Sequence, residues 1–170
     1  KVKGEGHFVA LLRKKGDRTT NEIGIVKNKD SNVNKLMEPF YKFAEENLNI
    51  NIDGFFTVKG NNLYCLPVEP PDLSGIKVAK FGWYLGEILK GRFEPSHSFA
   101  LSLKKEDIKK TVNLGADSID VLKYLKGETL MLEGNPGYTG VLVDGYTLGW
   151  AKQTGDMLKN LYPKGWRKMQ

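Results

Sequence analysis

The sequence predicts an α+β fold: a small, mostly antiparallel sheet domain followed by a partly closed β-barrel with short helices. Residues 55–66 form two β-rich runs around a Gly/Asn turn, which is typical of a hairpin. Residues 129–150 hold three short strand-like runs with close turns, which favour a small barrel. Apolar residues recur at the spacing of one helix face in residues 33–44 and 119–125.

The beginning of the chain predicts one strand and a linker. Residues 7–12, His-Phe-Val-Ala-Leu-Leu, form a short apolar run typical of a strand. Residues 13–32 are rich in Lys, Asn, Asp and Thr, a composition typical of linkers, and we place the first domain boundary there. The chain starts at Lys1 without an initiator Met, so we expect it to be a fragment of a longer protein.

Residues 33–110 are predicted to form the first complete domain. Its helix is expected to start at Pro39, because the missing proline N–H is harmless in the first helical turn. After the hairpin, residues 76–89 alternate in polarity and contain glycines at 82 and 86, which predicts bent strands. Ser96 is predicted to cap a short helix over residues 97–103.

Residues 111–170 are predicted to form the second domain. A helix around residues 119–125 is expected to end at Gly127, which serves as a C-terminal stop. Turn residues at 135–137 and 144–145 separate the strands that follow. These strands are predicted over residues 129–132, 140–143 and 146–150, with loop-like sequence after them.

Positive charge is concentrated at the two ends of the chain. Of the net charge of +6, residues 1–30 carry eight Lys/Arg against four Asp/Glu, and residues 152–170 carry five against one. Residues 111–151 are acidic, with two against five. Such segregation is what a polyanion-binding surface requires, although a solvated basic tail without a partner would show it too.

The residues offer little for catalysis, metal binding or membrane insertion. No apolar run approaches the roughly 18 to 20 residues that cross a bilayer. A single cysteine, Cys65, forms no internal disulfide, which suits a cytoplasmic protein, and its apolar neighbours predict that it is buried. His7 and His97 are too far apart for zinc-type spacing, and Gly4-Glu5-Gly6 precedes a strand instead of following one. We therefore predict no catalytic residue, metal or cofactor in this chain.

Two segments combine basic and aromatic side chains. In residues 82–97, Lys90, Arg92 and His97 are interleaved with aromatics, a mixture that suits unpaired RNA, although the alternation favours a sheet core for the aromatics themselves. Residues 149–168 hold further basic residues, and loops on a rigid scaffold are where binding residues concentrate. Four apolar side chains are expected to anchor this second segment: Leu158, Leu161, Tyr162 and Trp166.

Three motifs in these segments and at the start resemble one family. Gly-Arg-Phe-Glu-Pro-Ser-His (91–97), preceded by Leu-Gly-Glu (85–87), resembles the first C-terminal domain of RsmF-type rRNA methyltransferases. Asp-Gly-Tyr-Thr-Leu-Gly-Trp-Ala-Lys (144–152), with residues 158–165, resembles their PUA-like RNA-binding domain. Residues 4–14 resemble the last strand of their catalytic domain. The motifs stand in the family's order and span nearly the whole chain.

The resemblance implies a bacterial parent enzyme of the Sun/nucleolar-protein family. Such an enzyme methylates C5 of a cytosine in 16S rRNA of the small subunit and uses S-adenosylmethionine, which would bind outside this chain. The family's two cysteines stand in Pro-Cys and Thr-Cys contexts, whereas Cys65 follows Tyr64. The implied organisation is the end of the catalytic domain and a linker (1–32), the first C-terminal domain (33–110) and the PUA-like domain (111–170).

The same resemblance implies which residues contact RNA. They would hold and orient rRNA or the small ribosomal subunit while a distant active site takes the target base. The chain is expected to be a monomer. The expected RNA-binding residues are Lys90, Arg92, His97, Lys152, Lys159, Asn160, Lys164 and Arg167.

Three other interpretations compete with this one. The chain could be a PUA-like RNA-binding module of another RNA-modification or ribosome-assembly factor. It could instead be a protein–protein docking domain in which the region of Trp83 and Tyr84 packs on a partner, which predicts an exposed apolar patch and no RNA affinity. A hydrolase using His97 and a carboxylate is the weakest, because it lacks a positioned nucleophile.

Overall fold

The computed structural model describes residues 35–168, which form two sheets with short helices. One sheet has four antiparallel strands and the other is a curled, five-stranded half-barrel, so the predicted α+β class is confirmed. The strand predicted over residues 7–12 and the linker over residues 13–32 lie outside the described residues.

The first sheet follows a helix and is built from two hairpins. Pro39 lies in the first turn of this helix, as predicted, and the helix buries Phe40 and Phe43 against the sheet. The predicted hairpin is also confirmed, with its turn at Gly60 and Asn61. The elements are α1 (Glu38–Asn47), β1 (Phe55–Lys59), β2 (Asn62–Leu66), β3 (Trp83–Leu89) and β4 (Arg92–Pro95), in sheet order β1-β2-β3-β4.

The prediction of bent strands over residues 76–89 was wrong in extent. Only β3 is present, and residues 76–82 form no strand. Strand β4 was not predicted at all, because its four residues have just one fully buried side chain, Phe93. Gly86 marks the bend within β3: its φ is 156°, and a Cβ there would collide with the carbonyl oxygen of Glu94.

A capped helix connects the two sheets. Helix α2 (His97–Ser102) begins at Ser96, whose hydroxyl accepts a hydrogen bond from the Phe99 N–H at 3.0 Å, so the predicted cap is confirmed. A 3₁₀ turn, Lys105–Asp107, then leads into the half-barrel.

The half-barrel contains one parallel strand pair, between residues 111–114 and 140–143, and three antiparallel pairs. Its helix ends at Gly127, where φ is 84°, and two of its strands are joined by a turn at Asp144 and Gly145; the sequence predicts both the helix end and the turn. The elements are β5 (Thr111–Leu114), α3 (Ile119–Lys126), β6 (Leu130–Met131), β7 (Gly137–Val143), β8 (Tyr146–Thr154), β9 (Met157–Asn160) and a 3₁₀ turn (Lys164–Trp166), in sheet order β5-β7-β8-β9-β6.

The loop predicted after residue 150 was wrong. Strand β8 continues to Thr154, turns at Gly155 and returns as β9. Only Leu158 of β9 is fully buried, so the basic composition of this segment concealed a half-buried strand. Strand β5 was missed as well, because its partner β7 lies far along the chain.

Two apolar cores support the fold, and one of them joins the sheets. The half-barrel encloses its own core, which includes Tyr124 and Val141. Trp150 of β8 points the other way and lies in the core of the first sheet, with its ring centroid 5.9 Å from Phe43 and 6.2 Å from Phe99. Trp150 therefore joins the half-barrel to the first sheet through the two helices that pack between them, α1 and α2.

Candidate nucleic-acid interface

The β8–β9 hairpin places two lysines directly opposite each other. Lys152 and Lys159 are cross-strand partners, and both side chains are exposed. Like charges in this position repel and destabilise the sheet. None of the ion pairs found within residues 35–168 includes either lysine. The pair is therefore a place where a bound anion would relieve the repulsion.

Tyr138 extends this positive surface toward the first sheet. It is the cross-strand partner of Lys152, whose Nζ lies 5.6 Å from the centre of its ring. Its hydroxyl donates a hydrogen bond to the carbonyl oxygen of Phe93 in β4 at 3.4 Å. Burial raises the pKa of Tyr138, the Glu94 charge raises it further, and the Arg92 charge lowers it. The phenol therefore stays protonated at neutral pH and can act as a hydrogen-bond donor.

Arg92 and Lys90 lie at the end of the β3–β4 hairpin. Arg92 Nη2 is 2.9 Å from Glu94 Oε1, and both side chains are largely exposed, so part of the arginine charge is neutralised locally. Lys90 is exposed in the turn. We call Arg92, Tyr138, Lys152 and Lys159 the basic strip. Tyr138 was missed in the sequence, since its place beside Lys152 depends on the β7–β8 register.

His97 lies elsewhere, in a cluster of rings at the junction of the sheets. Its ring centroid is 5.2 Å from Tyr162 and 5.1 Å from Trp166, both in edge-to-face geometry. Its Nδ1 is buried with no partner among the described protein atoms, and burial lowers its pKa. Through these contacts the neutral His97 ring packs against the C-terminal segment and holds it. A cationic contact to phosphate would require the protonated ring, which burial disfavours.

Two predicted RNA-binding residues are engaged within the protein. The Asn160 amide donates to the carbonyl oxygens of Tyr124 and Glu128 at 2.8 and 3.0 Å, and its oxygen accepts from the Tyr162 N–H at 2.7 Å. Arg167 donates two hydrogen bonds to the Tyr162 carbonyl oxygen, each at 3.3 Å. Asn160 ties the end of β9 to the end of helix α3, whereas the Arg167 bonds close the C-terminal segment on itself. Lys164, by contrast, is exposed in the last 3₁₀ turn.

The four side chains expected to anchor this segment differ in how far they are buried. Leu158 is buried and Tyr162 is half-buried, as predicted. Leu161 and Trp166 are exposed, 43% and 62% respectively, so the prediction that they anchor the segment as buried side chains was wrong. The apolar spacing could not distinguish a buried ring from an exposed one here.

The single cysteine of the chain is buried. Cys65 is 4% exposed, and burial together with the Asp53 charge raises its pKa to about 11, so its thiol is protonated at neutral pH. Within residues 35–168 no group of three or more His, Cys, Asp or Glu side chains could hold a metal ion. In the same residues, none of the helices combines the length and the apolar character needed to span a membrane.

Comparison with known families agrees with this geometry. Residues 42–103 match the model of the RsmF rRNA methyltransferase first C-terminal domain, and residues 103–168 match that of the methyltransferase RsmF PUA domain. The described part of the chain is thus an RNA-binding region of an rRNA methyltransferase. The chain belongs to the RsmF rRNA methyltransferase family, whose C-terminal region it contains.

Proposed function

We propose that this chain positions 16S rRNA of the small subunit for S-adenosylmethionine-dependent methylation of a cytosine at C5, and that the basic strip holds the RNA backbone. The observation that supports this most directly is that Lys152 and Lys159 lie opposite each other on an exposed sheet face, and that neither has an ion-pair partner among the described residues. Phosphates are the anions that such pairs bind in RNA complexes, and these contacts fix the register of the substrate.

The strip also crosses the junction between the two matched domains. Tyr138 hydrogen-bonds to β4 of the first sheet while its ring lies beside Lys152 of the second. Because Trp150 joins the half-barrel to the helices of the first sheet, the strands that carry these donors are held in one arrangement. A rigid array of donors loses less entropy on binding than a flexible basic tail would.

The proposal assigns no S-adenosylmethionine site to the turn at residues 114–118. The nearest likeness to a cofactor-binding unit is β5, Gly115 and α3, a strand that turns into a helix. The Ala116 N–H in this turn already donates to the Asp144 carboxylate at 3.2 Å, and the Gly145 N–H donates to Asn113 at 2.8 Å. The cofactor and the catalytic cysteines are therefore assigned, in this proposal, to another part of the parent enzyme.

The test is binding of 16S rRNA fragments by the 170-residue chain at several salt concentrations. A Lys152→Gln, Lys159→Gln variant should bind more weakly, and its plot of log K against log salt should be shallower by about 1.4, or about 0.7 for each lost contact to single-stranded RNA. A Lys77→Gln, Lys80→Gln variant loses the same charge from exposed positions outside the strip and should resemble the parent chain. Equal slopes for the two variants would contradict the proposal.

A further inference from the structure

Trp166 is an unusually exposed tryptophan. Its side chain is 62% exposed, whereas tryptophan is highly buried on average. Its neighbours are basic: Lys164 and Lys168 are exposed on either side of it. A large apolar ring surrounded by positive charge is the combination that binds nucleotides by stacking and phosphate contact together.

The exposed ring is also held in place. The backbone N–H of Trp166 donates to the carbonyl oxygen of Pro163 at 2.9 Å, which closes the 3₁₀ turn. The Lys168 N–H donates to the carbonyl oxygen of Leu125 in α3 at 3.0 Å, so the chain is fixed on the other side as well. His97 contacts the indole edge-to-face at an interplanar angle of 84°. Little conformational entropy remains to be lost when a ligand stacks on this ring.

We propose that Trp166 is a stacking platform for an unpaired RNA base, with Lys164 and Lys168 contacting the adjoining phosphates. This inference rests on the proposed function and adds the class of substrate, which is single-stranded or looped RNA with an accessible base. A continuous duplex offers no free base face to the ring. His97 is a positioning residue in this arrangement, since it touches the indole and not the RNA.

Fluorescence can observe this ring directly. The chain has three tryptophans: Trp150 is 1% exposed and Trp83 packs against Phe99, so Trp166 is the one most open to a ligand. A stacked base should quench its emission when an oligouridylate is added. Trp166→Phe should abolish the quenching while retaining most of the affinity, and Trp83→Phe should leave the quenching intact.

Affinity provides the second measurement, with an oligouridylate and an abasic oligomer of equal length as probes. The parent chain should prefer the oligouridylate, and Trp166→Ala should lose that preference, on the order of tenfold to a hundredfold. His97→Ala should reduce the preference and His97→Phe, which keeps a ring at this position, should restore it. Circular dichroism should show all variants folded.

The outcomes separate this inference from the function on which it rests. If Lys152→Gln, Lys159→Gln weakens binding of both oligomers while Trp166→Ala changes neither, the basic strip binds RNA and the stacking platform is refuted. If the parent chain binds neither oligomer nor rRNA, both proposals fail. Quenching that persists in Trp166→Phe would also overturn the platform, because another tryptophan would then be responsible.

Discussion

Replacing Trp150 with Ala is expected to lower the free energy of unfolding by about 3–5 kcal/mol, the range for large aromatic side chains in cores. We expect the upper half of this range. Trp150 is 1% exposed, and its ring lies 5.9 Å from Phe43, 6.2 Å from Phe99 and 6.4 Å from Tyr138. Each such aromatic pair adds about 0.5–1.5 kcal/mol beyond burial alone. The loss would be a large fraction of the roughly 5–15 kcal/mol that stabilises a typical domain.

Trp150→Phe is the matched control. The indole Nε1 is buried and has no partner among the described protein atoms, so Phe removes an unpaired N–H that costs about 1–3 kcal/mol to bury. Phe also keeps one aromatic ring between the sheets. The Phe variant should therefore lose less than half of what the Ala variant loses.

Urea denaturation followed by far-UV circular dichroism measures both variants. If Trp150 joins the sheets as the packing indicates, the Ala variant should also show a broadened or two-step transition, since the sheets would unfold less cooperatively. A loss below about 1 kcal/mol for Ala, or equal losses for Ala and Phe, would refute the reasoning from shared packing.

Three further predictions concern the junction and the C-terminal segment. Burial lowers the pKa of His97, so the stability that its neutral ring contributes is complete above the ordinary pKa near 6.5 and is lost as the pH falls below that value. In thermal melts between about pH 7.5 and 5.5, the parent chain should therefore lose more stability than His97→Phe. Asn160→Ala should cost about 2 kcal/mol in urea denaturation, because three hydrogen bonds disappear, yet leave the salt slope of RNA binding unchanged. Gly127→Ala should cost more than Gly155→Ala in the same assay: both have positive φ, but a Cβ at 127 meets the Arg167 side chain and one at 155 meets open space.

Local chemistry made much of the fold predictable. The helix start at Pro39, the cap at Ser96 and the helix end at Gly127 each depend on a residue type whose backbone preference is independent of distant partners. Strands β5 and β9 depend on partners elsewhere in the chain. β9 contributes Leu158 as its one fully buried side chain, so its pattern is too weak to recognise without β8 beside it.

In the candidate site, too, some features were predictable from local sequence and others depend on distant partners. The charge of the last 19 residues predicted a basic surface, but not that Lys152 would face Lys159, because that requires the turn at Gly155 to set the register. The family resemblance also grouped Asn160 and Arg167 with the exposed lysines. Their hydrogen bonds to the backbone distinguish them, and such bonds leave no pattern in the sequence.

The parallel pairing of β5 with β7 has a consequence for the order of folding. Thr111 lies opposite Gly140, 29 positions later, whereas the β7–β8 turn joins strands that are adjacent in sequence. Closing a longer loop costs more chain entropy, so β7, β8 and β9 should pair first, and the edge strands should dock later: β5 onto β7, and β6 onto β9, where Leu130 lies opposite Leu158. Val112→Ala in β5 should then accelerate unfolding and leave the folding rate almost unchanged in stopped-flow experiments, while Val141→Ala in β7 should slow folding. The edge of the half-barrel that closes last would also be the first to open.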